Sequence, residues 1–199
     1  MRISNQANAG LRCAAAPKLP PKQKELSVPR YALMLPLLLS LCASATAAPY
    51  SLYLVRHAEK AVDPAQPKDP SLTACGIQRS AWLAQLLASK QIEAIYSSDY
   101  RRTQHTAAPS ATAFGLTVQL YHPAKLAALQ QLLQQRQQNA MVVGHSNTTP
   151  ALAGLLSQQQ LQPLDEQQFD RLYQLQLDGE QVSLSIIQQD FNCDPTRTD

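Results

Sequence analysis

The feature that most constrains the fold is an apolar run that ends abruptly in a cation and an imidazole. Residues 52–55 read Leu-Tyr-Leu-Val, a composition typical of a buried β-strand, and Arg56 and His57 follow directly. In an open α/β sheet, ligands bind at the carboxyl ends of the strands. Arginine can hold an oxyanion through two parallel hydrogen bonds, and a neutral imidazole is a nucleophile. The pattern therefore predicts an anion site at the end of the first strand.

The beginning of the chain has the pattern of a secretory signal peptide. A basic segment ends at Arg30, an apolar run covers residues 31–42, and small residues follow up to Ala48. The apolar run is shorter than the roughly 20 residues that span a bilayer. We therefore expect a leader over residues 1–47, cleaved after Ala47 or Ala48, and a single domain over residues 48–199.

The leader also predicts where the protein acts and where translation starts. Removal of a signal peptide implies a periplasmic or secreted protein, with no stable membrane association after cleavage. The basic segment is longer than such a peptide needs, and the stretch from Val28 would make a compact start. We therefore expect translation to begin near Val28.

Charge and cysteine content narrow the class of protein further. The leader carries six of the 17 basic residues and one of the 14 acidic residues, so the remainder has a net charge of −2. That balance argues against nucleic-acid binding. Cys75 and Cys193 would lie in an oxidising compartment, where they are able to pair, but the sequence leaves their pairing open. The spacing of Cys and His residues indicates no metal, and no cofactor is expected.

Strand-like and helix-like segments alternate along the rest of the chain. This order predicts an α/β fold of three layers, a mostly parallel sheet with helices on both faces. Around Asp178-Gly179, two alternating segments predict a C-terminal β-hairpin. The predicted strands cover 51–56, 92–97, 116–120, 140–144, 171–177 and 181–188, and the predicted helices cover 76–90, 101–114, 125–136 and 147–157.

Three of the predicted parallel strands end in chemically active residues. Arg56-His57 follow the first strand, residues 97–102 (Ser-Ser-Asp-Tyr-Arg-Arg) follow the second, and residues 144–147 (Gly-His-Ser-Asn) follow the strand at 140. Parallel strands bring their carboxyl ends to one edge of a sheet. A cluster of imidazoles and guanidiniums is costly unless it holds an anion, and a helix that starts near Asn147 would add free N–H groups. The sequence therefore predicts a phosphate pocket.

These motifs resemble those of the histidine phosphatase superfamily. The resemblance rests on Val55-Arg56-His57-Ala58, on Ser98-x-x-x-Arg102-x-x-x-Thr106-Ala107 and on Val143-Gly144-His145-Ser146, with Leu72-Thr73-x-x-Gly76 in addition. It covers residues 50–156 and implies a phosphoglycerate-mutase-like fold.

The resemblance also implies roles for individual residues. His57 would be the nucleophile, Arg56 and Arg102 would bind phosphate oxygens, and His145 would hydrogen-bond the phosphoryl group. Ser146 and Asn147 would complete the phosphate site, and no metal would be needed. Adjacent helical residues point about 100° apart, so we expect Arg101 to lie outside the pocket.

The sequence departs from the family pattern at the general acid. One branch of the family uses a Glu after the third strand, where this chain has His122. Another branch uses an Asp after the second histidine, where this chain has Ser146. Three interpretations stay open: Glu59 or Asp63 supplies the proton, His122 does, or the leaving group needs no strong acid.

The sequence thus predicts an exported, metal-independent phosphatase that forms a phosphohistidine on His57. Its substrate would be a phosphate monoester, a phosphoramidate or an acyl phosphate on a small molecule or a glycan. The alternative is a phosphate-binding module of the same fold with little or no turnover, which the missing acid favours. A mutase activity fits less well, because the chain is predicted to be exported and lacks the Glu.

Overall fold

The computed structural model describes residues 48–194 and residue 196. The predicted leader and the translation start near Val28 lie outside these residues. No helix within the described ranges is both long and apolar enough to cross a membrane. The strands are Tyr50–Arg56 (β1), Ala94–Ser98 (β2), Val118–Tyr121 (β3), Ala140–Gly144 (β4), Arg171–Asp178 (β5) and Gln181–Gln188 (β6), and the helices are Ala74–Leu87 (α1), Arg101–Phe114 (α2), Leu126–Arg136 (α3) and Thr148–Ser157 (α4).

The described residues form a six-stranded sheet in the order β3-β2-β4-β1-β5-β6. The first four strands of this order run parallel, whereas β5 is antiparallel to β1 and β6 is antiparallel to β5. The α/β fold and the C-terminal hairpin predicted from the sequence are therefore confirmed. Because β1 lies beside β4, and β4 beside β2, the three strand ends that carry the chemistry share one edge.

Helices cover both faces of the sheet, and the alternation along β1 shows which helices lie where. Leu52 and Leu54 point into a core cluster that contains residues of α3 and α4. Tyr53 and Val55 point into a second cluster that contains residues of α1 and α2. All four side chains are buried, which is why β1 appears in the sequence as a continuous apolar run.

Local caps set the start of α1, two residues before its predicted start, and the end of α2, at its predicted end. Helix α1 begins at Ala74 because the Thr73 side chain accepts a hydrogen bond from the Gly76 amide at 3.0 Å, a typical N-cap. Helix α2 ends where Gly115 adopts φ = 66°, a left-handed conformation that costs glycine little.

A disulfide joins Cys75, in the first turn of α1, to Cys193 in the segment after β6. Their Cα atoms lie 5.3 Å apart, within the usual range for a disulfide. The structure thus answers the question of pairing that the sequence left open. The bond holds the C-terminal segment against α1, where Phe191 contacts Trp82.

Candidate active site

His57 lies at the floor of the candidate site, directly after β1, and is 2% exposed. Its Nδ1 contacts the Ala58 carbonyl at 2.8 Å. A carbonyl oxygen can only accept, so Nδ1 carries the proton and Nε2 is left with a free lone pair. The His57 amide donates to the Gly144 carbonyl at 2.9 Å, which joins the end of β1 to the end of β4. The backbone therefore fixes His57 in the tautomer that a nucleophile needs.

Helix α2 supports the segment that follows His57. The Thr106 hydroxyl accepts from the Ala58 amide at 2.9 Å and donates to the Arg102 carbonyl at 2.7 Å. Thr106 is fully buried. This explains why a threonine stands four residues after Arg102: its hydroxyl connects the nucleophile segment to the helix that carries Arg102.

His145 faces His57 across the site, with ring centroids 5.6 Å apart. Its Nε2 lies 2.8 Å from the Ser98 hydroxyl, and its Nδ1 lies 3.4 Å from Arg102 Nη2. The hydroxyl of Ser98 can donate or accept, so it is compatible with either neutral tautomer of His145. Gly144 precedes His145, and an added Cβ there would lie 2.8 Å from the Thr149 hydroxyl, so the backbone approach at this point requires glycine.

Both histidines are kept neutral. Burial, opposed by the hydrogen bond to Ala58 and assisted by the positive charges of Arg56 and Arg102, lowers the pKa of His57 to about 3. Burial, followed by the charges of Arg102 and Arg56, lowers the pKa of His145 to about 4. At neutral pH the site therefore holds two uncharged imidazoles between fixed cations.

Arg56 is buried, and the segment between α4 and β5 orients it. Its Nη1 donates to the carbonyls of Asp165 at 2.7 Å and Gln168 at 3.1 Å, and its guanidinium lies 4.3 Å from the centroid of the Phe169 ring. Its Nη2 contacts the Glu166 carboxylate at 3.3 Å. The buried Nε has no hydrogen-bond partner among the described residues. Arg56, which lines the cavity described below, thus keeps one buried N–H without a partner in the described part of the chain.

Arg102 is oriented in a comparable way by the loop that precedes α1. Its Nη1 lies 3.3 Å from the Lys68 carbonyl and 3.5 Å from the Asp69 carboxylate, and its guanidinium lies 4.5 Å from the centroid of the Tyr100 ring. Its buried Nε also lacks a partner within the described part of the chain. Arg101 instead binds Gln66 and does not line the pocket.

These groups line one cavity of about 420 Å³. Its walls come from the ends of β1, β2 and β4, from the first turns of α2 and α4, and from the loops that follow β3 and α4. The lining residues are Arg56, His57, Lys60, Tyr100, Arg102, Pro123, Ala124, His145, Ser146, Asn147, Thr148 and Glu166. Six of the seven predicted site residues therefore lie together, including the predicted phosphate-site residues Ser146 and Asn147.

Glu59 is the predicted site residue that lies elsewhere. Its carboxylate accepts from Arg79 Nε at 3.0 Å and from Arg79 Nη2 at 2.7 Å, and it lines a different cavity. Nearness in sequence to His57 is misleading here, because the chain turns away after Ala58 and α1 offers a guanidinium to the Glu59 side chain.

The other two predicted acids also lie outside the cavity. Asp63 accepts from the Ala65 amide at 2.9 Å within its own loop. His122 is exposed, and its Nδ1 accepts from the Ala124 amide at 3.2 Å. Both side chains stabilise local turns, and neither lines the cavity with His57.

Two charged residues that sequence reasoning missed, Lys60 and Glu166, line the cavity. Lys60 Nζ lies 3.6 Å from the Glu166 carboxylate, and the Ser146 hydroxyl donates to the same carboxylate at 3.1 Å. Lys60 belongs to the run that follows the nucleophile, so its position offered a signal. Glu166 lies in a polar loop with no motif, and nothing in the sequence singles it out. Among the described residues, no group of three His, Cys, Asp or Glu side chains could hold a metal ion.

Comparison with known proteins agrees with this geometry. Residues 52–123 match the family model of the histidine phosphatase superfamily, branch 1. A curated protein with a matching sequence was not found.

Solved structures with the same fold include phosphatases. The protein histidine phosphatase SixA, solved with tungstate, is 18% identical, with a TM-score of 0.59 over 69% of this chain and 96% of SixA. A mycobacterial glucosyl-3-phosphoglycerate phosphatase is 16% identical, with a TM-score of 0.56 over 73% of this chain and 100% of its own. Its complex with inorganic phosphate is 17% identical, with a TM-score of 0.54 over 71% of this chain and 97% of that chain.

The family match covers the strand end with Arg56 and His57 and the helix with Arg102, and the shared fold extends over the rest of the described domain. Residues 52–123 are thus similar to the histidine phosphatase superfamily, and the described domain has the fold of these solved phosphatases.

Proposed function

We propose that the protein is an exported phosphatase that hydrolyses phosphate monoesters, phosphoramidates or acyl phosphates through a phosphohistidine on His57. One observation carries this proposal. His57, Arg56 and Arg102 line one cavity, His57 Nε2 has a free lone pair, and the Nε groups of both arginines are buried without partners among the described residues. Unsatisfied buried N–H groups on two cations favour the binding of an anion. A phosphoryl group supplies both that anion and an electrophile for His57.

The first chemical step follows from this arrangement. The phosphoryl oxygens bind Arg56 and Arg102, and His57 Nε2 attacks phosphorus opposite the leaving oxygen. The P–N bond forms as the P–O bond breaks, and the fixed guanidiniums stabilise the charge on the equatorial oxygens. Because the pKa of His57 is lowered to about 3, the nucleophile is uncharged over the whole physiological range.

His145 can donate to the same phosphoryl group although it is neutral. In the phosphate-free cavity Arg102 donates to Nδ1, so the single proton of His145 lies on Nε2 and is donated to the Ser98 hydroxyl. When a phosphoryl oxygen takes over Arg102, the Ser98 hydroxyl can donate to Nε2 instead, and the proton of His145 then lies on Nδ1. A bound phosphoryl oxygen then receives hydrogen bonds from Nδ1 and from Arg102. Water completes the cycle when it attacks the phosphohistidine, which releases inorganic phosphate and restores His57.

Phosphatases of the same fold support this assignment. SixA is a protein histidine phosphatase, and the mycobacterial relative is a glucosyl-3-phosphoglycerate phosphatase. For this chain we propose a phosphorylated small molecule or glycan as the substrate. No nucleic-acid partner is proposed, because the chain without its leader has a net charge of −2.

A binding module without turnover is the second candidate. Arg56 already contacts two carbonyls and the Glu166 carboxylate, so the cavity can hold negative charge without any chemistry. This candidate predicts phosphate binding with no hydrolysis of any ester.

Hydrolysis of p-nitrophenyl phosphate separates the two candidates, because this leaving group needs little protonation. The expected result is turnover that His57→Ala reduces by at least about 10³-fold. Brief incubation of the wild type with a ³²P-labelled substrate should leave an acid-labile, base-stable label on the protein. Phosphate binding without turnover would support the binding module, and an equally active His57→Ala variant would rule out the nucleophile.

Export is proposed from the sequence of the leader alone. The mature protein should begin at Ala48 or Pro49 and should be found outside the cytoplasm. N-terminal sequencing and cell fractionation measure both. A peptide that contains Gln6 would contradict the proposed translation start near Val28.

A further inference from the structure

Glu166 is the one acidic residue among the described residues that line the candidate active site. It lies between α4 and β5. Three donors hold its carboxylate: Arg56 Nη2 at 3.3 Å, the Ser146 hydroxyl at 3.1 Å and Lys60 Nζ at 3.6 Å. The protein thus brings a carboxylate to the cavity from a loop more than 100 residues away from the nucleophile.

Glu166 and His57 lie at different depths of the cavity. His57 is 2% exposed, whereas the side chain of Glu166 is 67% exposed. In phosphoryl transfer the leaving oxygen departs opposite the attacking atom. With the nucleophile at the buried floor, the leaving group points toward the solvent-facing mouth, which is where Glu166 lies.

The contacts of Glu166 are ones that a substrate can replace. Its bond to Arg56 is single and long, and it uses Nη2, which lies next to the unpartnered Nε. A phosphoryl group that binds this edge of Arg56 takes over Nη2. Ser146 and Lys60 then hold the freed carboxyl beside the substrate.

The charge of the substrate changes the protonation of Glu166. In the phosphate-free cavity, the hydrogen bond from Ser146 and the charges of Arg56 and Lys60 keep its pKa below the usual value. A phosphate dianion neutralises Arg56 and adds negative charge beside the carboxyl, and both effects favour its protonated form.

We propose that Glu166 is the proton donor to the leaving oxygen, an inference that rests on the phosphatase function proposed above. As the P–N bond to His57 forms and the P–O bond breaks, the leaving oxygen takes the proton of the Glu166 carboxyl and departs as an alcohol. In the second step the carboxylate takes a proton from the attacking water, the P–N bond breaks, and phosphate leaves. Glu166 is protonated again while phosphate is still bound and loses this proton when phosphate leaves, because its pKa then falls below the usual value. It takes up a proton when the next substrate binds, and His57 ends the cycle neutral.

The test compares leaving groups in the Glu166→Gln variant of the full-length protein. An alkyl phosphate such as glycerol phosphate has a leaving group that needs a proton, whereas p-nitrophenyl phosphate does not. We expect kcat/KM for the alkyl phosphate to fall by about 10²–10³-fold, and that for p-nitrophenyl phosphate to change by less than about 5-fold. Glu180→Gln, an exposed carboxylate in the β5–β6 turn, is the matched control and should change neither rate.

Other results would overturn the assignment. An equal fall for both substrates would mean that Glu166 only orients Arg56. If KM falls equally for both substrates and inorganic phosphate binds more tightly, Glu166 only competes with phosphate for Arg56. A wild type that hydrolyses the aryl phosphate but not alkyl phosphates would show that no acid operates, and the phosphatase function would stand. A wild type that hydrolyses neither would instead contradict the phosphatase function itself.

Discussion

Two arginine–glutamate pairs lie close to the nucleophile in sequence or space, and they differ in how tightly each carboxylate is held. We call Arg79–Glu59 the closed pair and Arg56–Glu166 the open pair. The Arg79–Glu59 pair makes contacts of 2.7 and 3.0 Å, with side chains 9% and 22% exposed. The Arg56–Glu166 pair makes one contact of 3.3 Å, with side chains 1% and 67% exposed. In each pair a phenylalanine covers the guanidinium, Phe191 for Arg79 and Phe169 for Arg56.

The difference shows how the same two residue types serve structure in one place and chemistry in another. Arg79 has a bidentate carboxylate and a further bond to Gln189 at 3.1 Å, so little of its hydrogen-bonding capacity is left. Arg56 has a weakly held carboxylate and an unpartnered Nε, so an anion from solvent can bind it. Closed pairs stabilise the domain, whereas an open pair leaves room for a substrate.

The largest effect should come from conservative changes to the two arginines. Arg56→Lys replaces a planar, bidentate donor with a point charge, and we expect kcat/KM for p-nitrophenyl phosphate to fall by about 10²–10³-fold. Arg79→Lys should reduce it by less than about 3-fold. Steady-state kinetics measures both, with circular dichroism to check folding. Similar losses of kcat/KM in the two variants would mean that the two pairs do not differ in function.

Removal of the disulfide should destabilise the protein and loosen the C-terminal segment that supports the closed pair. The Cys75–Cys193 bond joins residues 118 positions apart and holds the segment that brings Gln189 and Phe191 to Arg79. Cys75→Ser should reduce the free energy of unfolding by about 2–5 kcal/mol. Denaturant titration measures this, and Cys193→Ser should give the same value because it removes the same bond. A loss confined to one of the two variants would argue against the pairing.

Removal of the carboxylate should reduce the free energy of unfolding much more in the closed pair than in the open pair. Glu59→Gln leaves Arg79 buried without a counter-ion and should cost about 2–4 kcal/mol. Glu166→Gln removes an exposed partner and should cost less than about 1 kcal/mol. Thermal and denaturant unfolding measure both. In Glu59→Gln the ratio of alkyl to aryl phosphate hydrolysis should equal that of the wild type. A change in that ratio would mean that Glu59 takes part in proton transfer.

Low pH should reduce the free energy of unfolding through the two buried histidines of the site, His57 and His145. The pKa of His57, lowered to about 3, and that of His145, lowered to about 4, lie below the unfolded value, so the unfolded chain binds more protons as pH falls below 6.5. Stability should be full above pH 6.5 and should decrease toward pH 4. For His57 the loss at pH 5 is about 2 kcal/mol. Unfolding titrations at pH 7 and pH 5 test this, and equal stability would mean that the histidines are not buried as described.

Most of the fold was predictable because its signals are local. The apolar run in β1, the helical spacing in α2 with Gly115 after it, and the alternation around Asp178-Gly179 each report on a few neighbouring residues. Predicted bounds differ from the observed ones by only a few residues. The parallel order of strands then brings three motifs to one edge of the sheet, and this made the set Arg56, His57, Arg102 and His145 accessible to sequence reasoning.

The sequence by itself determined the strand ends, the helices and four residues of the pocket (Arg56, His57, Arg102 and His145), because apolar runs and motif spacing are local patterns. Only the tertiary structure decided which carboxylate faces the cavity. Glu59 lies two residues from the nucleophile but binds Arg79, whereas Glu166 comes from a loop without a motif. That choice depends on contacts between segments far apart in the chain, and such contacts leave no periodicity or spacing for a sequence to show.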